Sequence, residues 1–144
     1  MERMSIPKSV IPELAYIGTG TGKEGLLQRL GQLIGSPDRY LSPAEREAVA
    51  GGQRLEVSVA ITVKAPAYRA ALLLAYKDLH GRLPGADSPR TAVWVRGNRL
   101  TPSEPGAAGA AGDLDWSEWL SLDNRLKSRL PTEHGVYRTR VRRP

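Results

Sequence analysis

Two tyrosines and one arginine are the residues of this chain whose types and spacing could act on a phosphate group. Tyr137 ends a Gly-Val-Tyr triplet, and Tyr16 begins a Tyr-Ile-Gly triplet that is followed by Arg29. A guanidinium matches the geometry of phosphate oxygens and stays charged at any working pH. Taken singly, each tyrosine is more typical of a sheet position with a solvated hydroxyl, and the alternative for Arg29 is an ordinary arginine on an exposed helix face.

The two triplets together resemble the signature of the GIY-YIG nuclease family, but their order is reversed. In that family the Gly-Ile/Val-Tyr strand comes first, a Tyr-Ile/Val-Gly strand follows, and a helix then carries an essential arginine. Here the first motif strand is the segment 134–141 and the second is the segment 13–18. Joining Pro144 to Met1 would restore the family order. The resemblance therefore implies a circularly permuted fold, or a strand exchanged between two copies in a dimer. It also implies that the two motif strands are adjacent and antiparallel in one sheet.

The resemblance implies a role for each matched residue. Tyr137 corresponds to the family's first tyrosine, which helps to deprotonate the attacking water when metal and cationic neighbours lower the pKa of its phenol. Tyr16 corresponds to the second tyrosine, which hydrogen-bonds water or phosphate, and Arg29 to the phosphate-binding arginine. His134 is a candidate proton shuttle, and a locally hydrogen-bonded strand histidine is the alternative.

The sequence departs from the family at the metal ligand. Related nucleases carry a glutamate on a later helix that holds Mg²⁺ or Mn²⁺. The resemblance places that glutamate at Ala70, whose side chain cannot bind a metal. Either the chain is a degenerate member, or the glutamate was replaced by alanine to hold DNA uncleaved. Asp87, in a turn that begins at Pro84, is a substitute ligand or a structural residue, and the structural role is the stronger expectation.

Two functions follow from the resemblance. The first is a metal-dependent endonuclease of restriction or repair type that hydrolyses DNA phosphodiester bonds, here weakened or inactive because of Ala70. The second is a noncatalytic module of the same fold that binds double-stranded DNA. A basic interaction domain without a role on DNA is the remaining alternative. The glycine-rich segment 18–23 does not favour nucleotide hydrolysis, because Glu24 stands where a phosphate loop has Ser or Thr.

Charge favours a nucleic acid as the partner. The formal net charge is +6, and the segment 125–144 holds seven Lys or Arg against one acidic residue, Glu133. Such a segment attracts polyanions, although a solvated basic tail is the plain alternative. The predicted DNA contacts are Lys23, Arg125, Lys127, Arg138, Arg140 and Arg142. Trp116 and Trp119 could stack on bases, but anchoring the C-terminal segment to the core is the stronger expectation.

Composition excludes several other classes of protein. Cysteine is absent and there are two histidines, which excludes disulfides and a zinc site built from Cys and His. No apolar run approaches the roughly 20 residues that span a bilayer, and the first residues lack the apolar core of a signal peptide. These features predict a cytoplasmic protein without membrane association. A length of 144 residues predicts a single domain over 1–144.

The elements that position these residues are short strands and amphipathic helices. Apolar residues at helical spacing predict a helix over about 23–34, which carries Arg29, and another over about 66–80, which carries Ala70. Ser42 and Glu45 predict a capped helix that ends near residue 50. The remaining predicted elements are strands at 54–63 and 91–95, a flexible loop at about 105–112 and a short helix at 123–130. The fold class is α+β, a small β-sheet flanked by helices.

Overall fold

Four strands form an antiparallel sheet in a computed structural model that describes residues 14–84 and 114–142. The strands are β1 (Tyr16–Gly20), β2 (Arg54–Ile61), β3 (Leu120–Ser121) and β4 (Gly135–Arg142). Their order in the sheet is β1-β4-β2-β3. The two motif strands, β1 and β4, are antiparallel neighbours with Gly18 opposite Tyr137, as the order of the two triplets predicts.

Helices accompany the sheet, and the described ranges contain α1 (Gly25–Gly35), α2 (Pro37–Tyr40), α3 (Pro43–Ala50), α4 (Ala65–His80) and a 3₁₀ helix (Asn124–Arg129). The helices predicted at 23–34, 43–50 and 66–80 are confirmed. The one predicted at 123–130 is a 3₁₀ helix. The four-residue helix α2 and the two-residue strand β3 are too short to show a hydrophobic period, so the sequence analysis missed them. The predicted strand at 91–95, the loop at 105–112 and Asp87 lie outside the described residues.

The fold class is α+β, because helices pack on both faces of an antiparallel sheet. On one face, Leu26, Leu30 and Leu33 of α1 pack against Val57 and Tyr137. Side chains alternate along a strand, so residues 136 and 138 of β4 point to the other face. No helix in the described ranges is long and apolar enough to cross a membrane.

The second face is covered by α4. Ala65 of this helix packs with Ala60 and Val136, and further along the helix Ala70 and Leu73 form a second cluster with Ile17, Leu14 and Tyr76. The helix ends at Gly81, whose φ of 74° lies in the left-handed region that glycine adopts without strain. The helix α4 therefore lies on the side of the sheet opposite to α1.

A buried carboxylate joins α3 to the inner strand β4. Glu45 is 1% exposed. Its Oε1 accepts the Ser42 backbone N–H at 2.8 Å, and the Ser42 hydroxyl accepts the Glu45 backbone N–H, which completes the predicted capping box. The other carboxylate oxygen accepts the Thr139 hydroxyl at 2.6 Å. Glu45 therefore fixes both the start of α3 and its position against β4.

Replacing Glu45 by alanine is expected to lower the free energy of unfolding by about 2–4 kcal/mol, because two buried donors lose their acceptor. Urea denaturation with an unchanged slope measures this effect. The control is Glu47→Ala, which removes an exposed carboxylate from the same helix. An equal loss of stability in the two variants would mean that the buried hydrogen bonds of Glu45 do not matter.

Candidate phosphate-binding site

A pocket of about 390 Å³ lies beside the edge strand β1, where residues from the first turns of α1 and α4 converge. Its polar lining consists of Tyr16, Thr19, Thr21, Gln28, Arg29, Gln32 and Arg69. The volume falls within the range of about 300–1,000 Å³ that is typical of small-ligand sites. Two guanidinium groups with hydroxyl and amide neighbours form an arrangement suited to an anion with several oxygens.

Arg29 reaches the pocket because the leucines of α1 turn toward the sheet and leave Arg29 half-buried at the rim. Its Nη1 donates to Gln32 Oε1 at 3.4 Å, and its guanidinium carbon lies 5.7 Å from the centre of the Tyr40 ring. Burial alone would lower the pKa of Arg29, but Tyr137, Tyr16 and Glu45 nearby raise it above its usual value. Arg29 therefore keeps its positive charge throughout the physiological range.

Arg69 is the second cation of the pocket, and the sequence analysis did not identify it. It is 8% exposed, and its Nε donates to the backbone carbonyl of Ile17 at 2.8 Å. Its guanidinium carbon lies 5.7 Å from the centre of the Tyr16 ring. The bond to the outer edge of β1 holds the charge beside the pocket. The sequence did contain a signal for Arg69, which is a lone arginine within the Ala- and Leu-rich stretch of α4. A charge in such a stretch is rarely buried without a partner.

The structure brings Arg69, and not Ala70, to the pocket. Ala70 is 5% exposed and packs with Ile17, Leu73 and Tyr76 on the second face of the sheet. Successive residues of an α-helix point about 100° apart, so a shift of one position changes which face a side chain occupies. A carboxylate at position 70 would therefore lie in the apolar core, away from Tyr16 and Arg29.

The two motif tyrosines lie together, with their ring centres 6.2 Å apart, but only Tyr16 lines the pocket. Tyr137 is fully buried. Burial raises the pKa of the Tyr137 phenol well above its usual value, and Arg29 offsets this only in part. Arg29 acts on this pKa in the expected direction but is outweighed by burial, and any further lowering by a metal stays a prediction. The Tyr137 hydroxyl therefore stays protonated at physiological pH.

Gly18 separates the pocket from Tyr137. A Cβ atom at position 18 would lie 2.5 Å from the Tyr137 hydroxyl oxygen, far inside the contact distance. Only a residue without a side chain lets β1 pass this close to the ring. The motif glycine is therefore required by packing, since the tyrosine lies directly beneath it.

Substituting Gly18 by alanine is expected to destabilise the protein by about 1–3 kcal/mol, because the new methyl group overpacks the buried ring. Gly31→Ala is the matched control, because a Cβ there meets nothing within 4 Å. That change in α1 should stabilise the protein by about 0.5–1 kcal/mol through helix propensity. Thermal unfolding of both variants measures the contrast. A Gly18→Ala protein as stable as the parent would disprove the close packing.

His134 and Lys23 lie near the pocket without lining it. His134 is exposed, and its Nε2 is 3.1 Å from the backbone oxygen of Gly22, so it braces the turn before α1. This local hydrogen bond matches the alternative interpretation of His134, while its role as a proton shuttle stays a prediction. Lys23 is exposed in the same turn, and its contact with DNA stays a prediction.

The arginines predicted to bind DNA on β4 are on the face opposite to the Tyr137 side chain. The Arg138 guanidinium carbon lies 4.1 Å from the Trp116 ring centre and 4.8 Å from that of Trp119. Burial, and then the neighbouring Arg140, lowers the pKa of Arg138 to about 10. Arg140 lies 4.1 Å from the Trp119 ring centre. This stack attaches the two tryptophans to the sheet, in agreement with the expectation that they anchor the C-terminal segment to the core.

A glutamate on β2 completes this cluster. Arg140 Nε donates to Glu56 Oε1 at 2.9 Å, and Arg142 Nε lies 4.0 Å from the other oxygen of Glu56. Arg138 and Arg140 therefore have structural partners in the described part of the chain. Arg142 is exposed and more accessible.

The 3₁₀ helix carries the remaining predicted contacts, Arg125 and Lys127. Both are exposed, and Arg125 forms an ion pair of 3.6 Å with Asp123. Arg125 lines a different pocket, of about 460 Å³, with Leu33, Leu55 and Leu122. The predicted basic surface is thus divided between separate parts of the molecule.

The described lining of the pocket does not fit Mg²⁺ or Mn²⁺. It supplies hydroxyl, amide and guanidinium groups and no carboxylate, whereas these ions take carboxylate oxygens as protein ligands. Across residues 14–84 and 114–142, no group of three or more His, Cys, Asp or Glu is arranged to hold a metal. A metal at this site would need ligands beyond the described residues.

Comparison with known proteins adds no assignment. No family model matches the chain, and neither a curated protein nor a solved structure is detectably similar to it. The class that fold and site define is an α+β domain with a cationic pocket at a sheet edge.

Proposed function

We propose that this domain binds nucleic acid, with double-stranded DNA as the main candidate, by holding a backbone phosphate in the pocket beside β1. The observation that carries the proposal is the convergence of Arg29 and Arg69 with Tyr16 in one pocket whose described lining has no acid. Guanidinium groups are the side chains best matched to phosphate oxygens. The net charge of +6 would favour the approach of a polyanion.

The proposal includes a relationship to the GIY-YIG nucleases with the strand order permuted. The antiparallel pairing of β1 with β4 supports it, because the family's two motif strands are consecutive and share a hairpin. The placement of Arg29 on the helix that follows β1 also supports it. In this relationship the chain is a noncatalytic module, since α4 contributes the guanidinium of Arg69 to the pocket and no carboxylate.

Metal-dependent hydrolysis of DNA is the second candidate function. The proximity of Tyr16, Tyr137 and Arg29 favours it, because these are the matched family residues. Against it, Tyr137 is buried and protonated, and the described lining supplies no carboxylate for a metal. Binding without cleavage is therefore the function that the geometry supports best.

Binding of labelled duplex DNA is expected to weaken about tenfold between roughly 50 and 200 mM salt, as for a site that neutralises about two phosphates. Arg29→Ala should weaken binding by a further tenfold or more at low salt, because charge-assisted hydrogen bonds are lost. Arg54→Ala removes the same charge from a surface outside the pocket and should have a smaller effect. Salt-independent binding, or none at low salt, would remove DNA as the partner.

The variant Ala70→Glu tests whether a carboxylate at this position is all that the chain lacks for hydrolysis. We expect no cleavage of DNA with Mg²⁺ or Mn²⁺, and a loss of stability of about 3–5 kcal/mol from an unpaired charge in the core. Lys77→Glu is the control, because it places the same group on an exposed position of α4. A stable Ala70→Glu protein that cuts DNA, and stops with a chelator or with Arg29→Ala, would establish the nuclease instead.

A further inference from the structure

We propose that the buried carboxylate of Glu45 is a specificity-determining group of the phosphate-binding pocket, although it does not touch the ligand. Its negative charge lies behind the pocket wall and weakens the binding of anions there, and it weakens a doubly charged phosphate more than a singly charged one. The inference rests on the proposed binding of a phosphate and adds what limits that binding.

Glu45 is joined to the wall of the pocket through one residue of the sheet. Its Oε2 accepts the Thr139 hydroxyl at 2.6 Å, and Thr139 of β4 is directly opposite Tyr16 of β1. Tyr16 lines the pocket. Opposite residues of antiparallel strands share a face, with Cβ atoms about 5 Å apart, so the carboxylate lies on the order of 10 Å from a phosphate in the pocket.

Neutral groups surround the Glu45 carboxylate, and water does not screen it. The residue is 1% exposed, and charges interact more strongly in the protein interior than in water. Its hydrogen bonds come from the Ser42 backbone N–H and the Thr139 hydroxyl. The neighbouring cation on α3, Arg46, is exposed and donates to two backbone carbonyls instead. The field of the carboxylate therefore extends toward the pocket.

Two residues beside the pocket respond to this charge. Burial opposes the charge of Arg29, yet Glu45 is among the neighbours that raise the pKa of Arg29. Burial raises the pKa of Tyr137, and Glu45 adds to that increase. A carboxylate that favours a cation and disfavours an anion at these positions also opposes a bound phosphate. Part of the attraction that Arg29 offers to a phosphate is therefore offset by Glu45.

The size of this opposition depends on the charge of the ligand. Coulomb energy is proportional to both charges, so a repulsion that weakens a monoanion by a given factor weakens a dianion by the square of that factor. An internal phosphodiester carries one negative charge, whereas a terminal phosphate carries close to two, because its second pKa is about 6. Glu45 thereby shifts the selectivity of the pocket toward the internal phosphates of a strand.

The test compares thymidine 5′-phosphate with its methyl ester, two probes that differ by one methyl group and one charge. Each competes with labelled duplex DNA at low salt and at about pH 8, well above the second pKa of the phosphate. Glu45→Gln keeps the size of the side chain and an acceptor oxygen but removes the charge. We expect it to tighten binding of the ester about threefold and of the 5′-phosphate about tenfold. Glu47→Gln makes the same change in net charge at an exposed position and should alter both affinities by less than about twofold.

A merely structural role for Glu45 would make the variant bind less well, so tighter binding by a less stable protein separates charge from packing. Thermal unfolding checks that each variant is folded, and Gly31→Ala, which should stabilise α1, is added to all of them if Glu45→Gln alone is not. A Glu45→Gln protein that stays unfolded in this background would show a structural role and overturn the inference.

Equal effects of the two glutamine substitutions, or equal gains for the two probes, would also overturn the inference, as would a parent protein that binds duplex DNA and neither probe. Binding of duplex DNA that depends on salt and on Arg29 would in each case leave the proposed function standing. A parent protein that binds neither the probes nor duplex DNA would overturn both.

Discussion

The close approach of β1 to the ring of Tyr137 is the contact on which the site depends. Tyr137 belongs to β4, which lies between β1 and β2, and its ring fills the space below Gly18. Because position 18 has no side chain, the edge strand passes over this ring and leaves room above it for the pocket. The same ring packs with the leucines of α1, the helix that carries Arg29. The packing of one glycine on one tyrosine thus links the sheet, the first helix and the candidate site.

The sequence predicted the larger elements well because each has a clear hydrophobic period. The helices α1 and α4 show apolar residues at helical spacing, and β2 has apolar residues at alternate positions from Leu55 to Ile61. The pairing of β1 with β4 was predicted from the resemblance, since no local pattern joins segments more than a hundred residues apart. In contrast, β3 is stabilised by its pairing with Glu56 and Val57 of β2, a tertiary contact that its own two residues do not reveal.

The site itself was predicted only in part, and the reason is helix rotation. Arg29, Tyr16 and Tyr137 lie close together, but Tyr137 is buried outside the pocket. The charged side chain that α4 contributes to the pocket is Arg69, and Ala70 does not line it. The amphipathic pattern of α4 is broad, with small and apolar residues on several sides, so it does not define the rotation of the helix to within one residue. The packing of Ala70 on Ile17 defines it, and this contact exists only in the folded chain.

Alternation along β4 could have separated the binding residues from the structural ones. Residues 137 and 139 share one face of a strand and residues 138, 140 and 142 the other, so the basic side chains of β4 cannot lie beside Tyr137. The prediction that the segment 125–144 forms one basic surface did not take this two-residue alternation into account. In the structure these arginines contact the rings of Trp116 and Trp119 and the carboxylate of Glu56. Charge in a sequence therefore indicates a partner only after the face that each residue occupies is known.

A guanidinium at the α4 position of the pocket changes what the site can do to a phosphate. In the proposed site, Arg29 and Arg69 would attract a phosphate that already carries its negative charge, and so would stabilise the bound ground state. Hydrolysis requires an activated water and additional stabilisation of the charge that develops in the transition state. The buried, protonated Tyr137 supplies no base for that water, and the described lining supplies no carboxylate for a metal. An arrangement of this kind would favour retention of the phosphate over its transfer, which is the reason for proposing a binding function from residue types that resemble those of a nuclease.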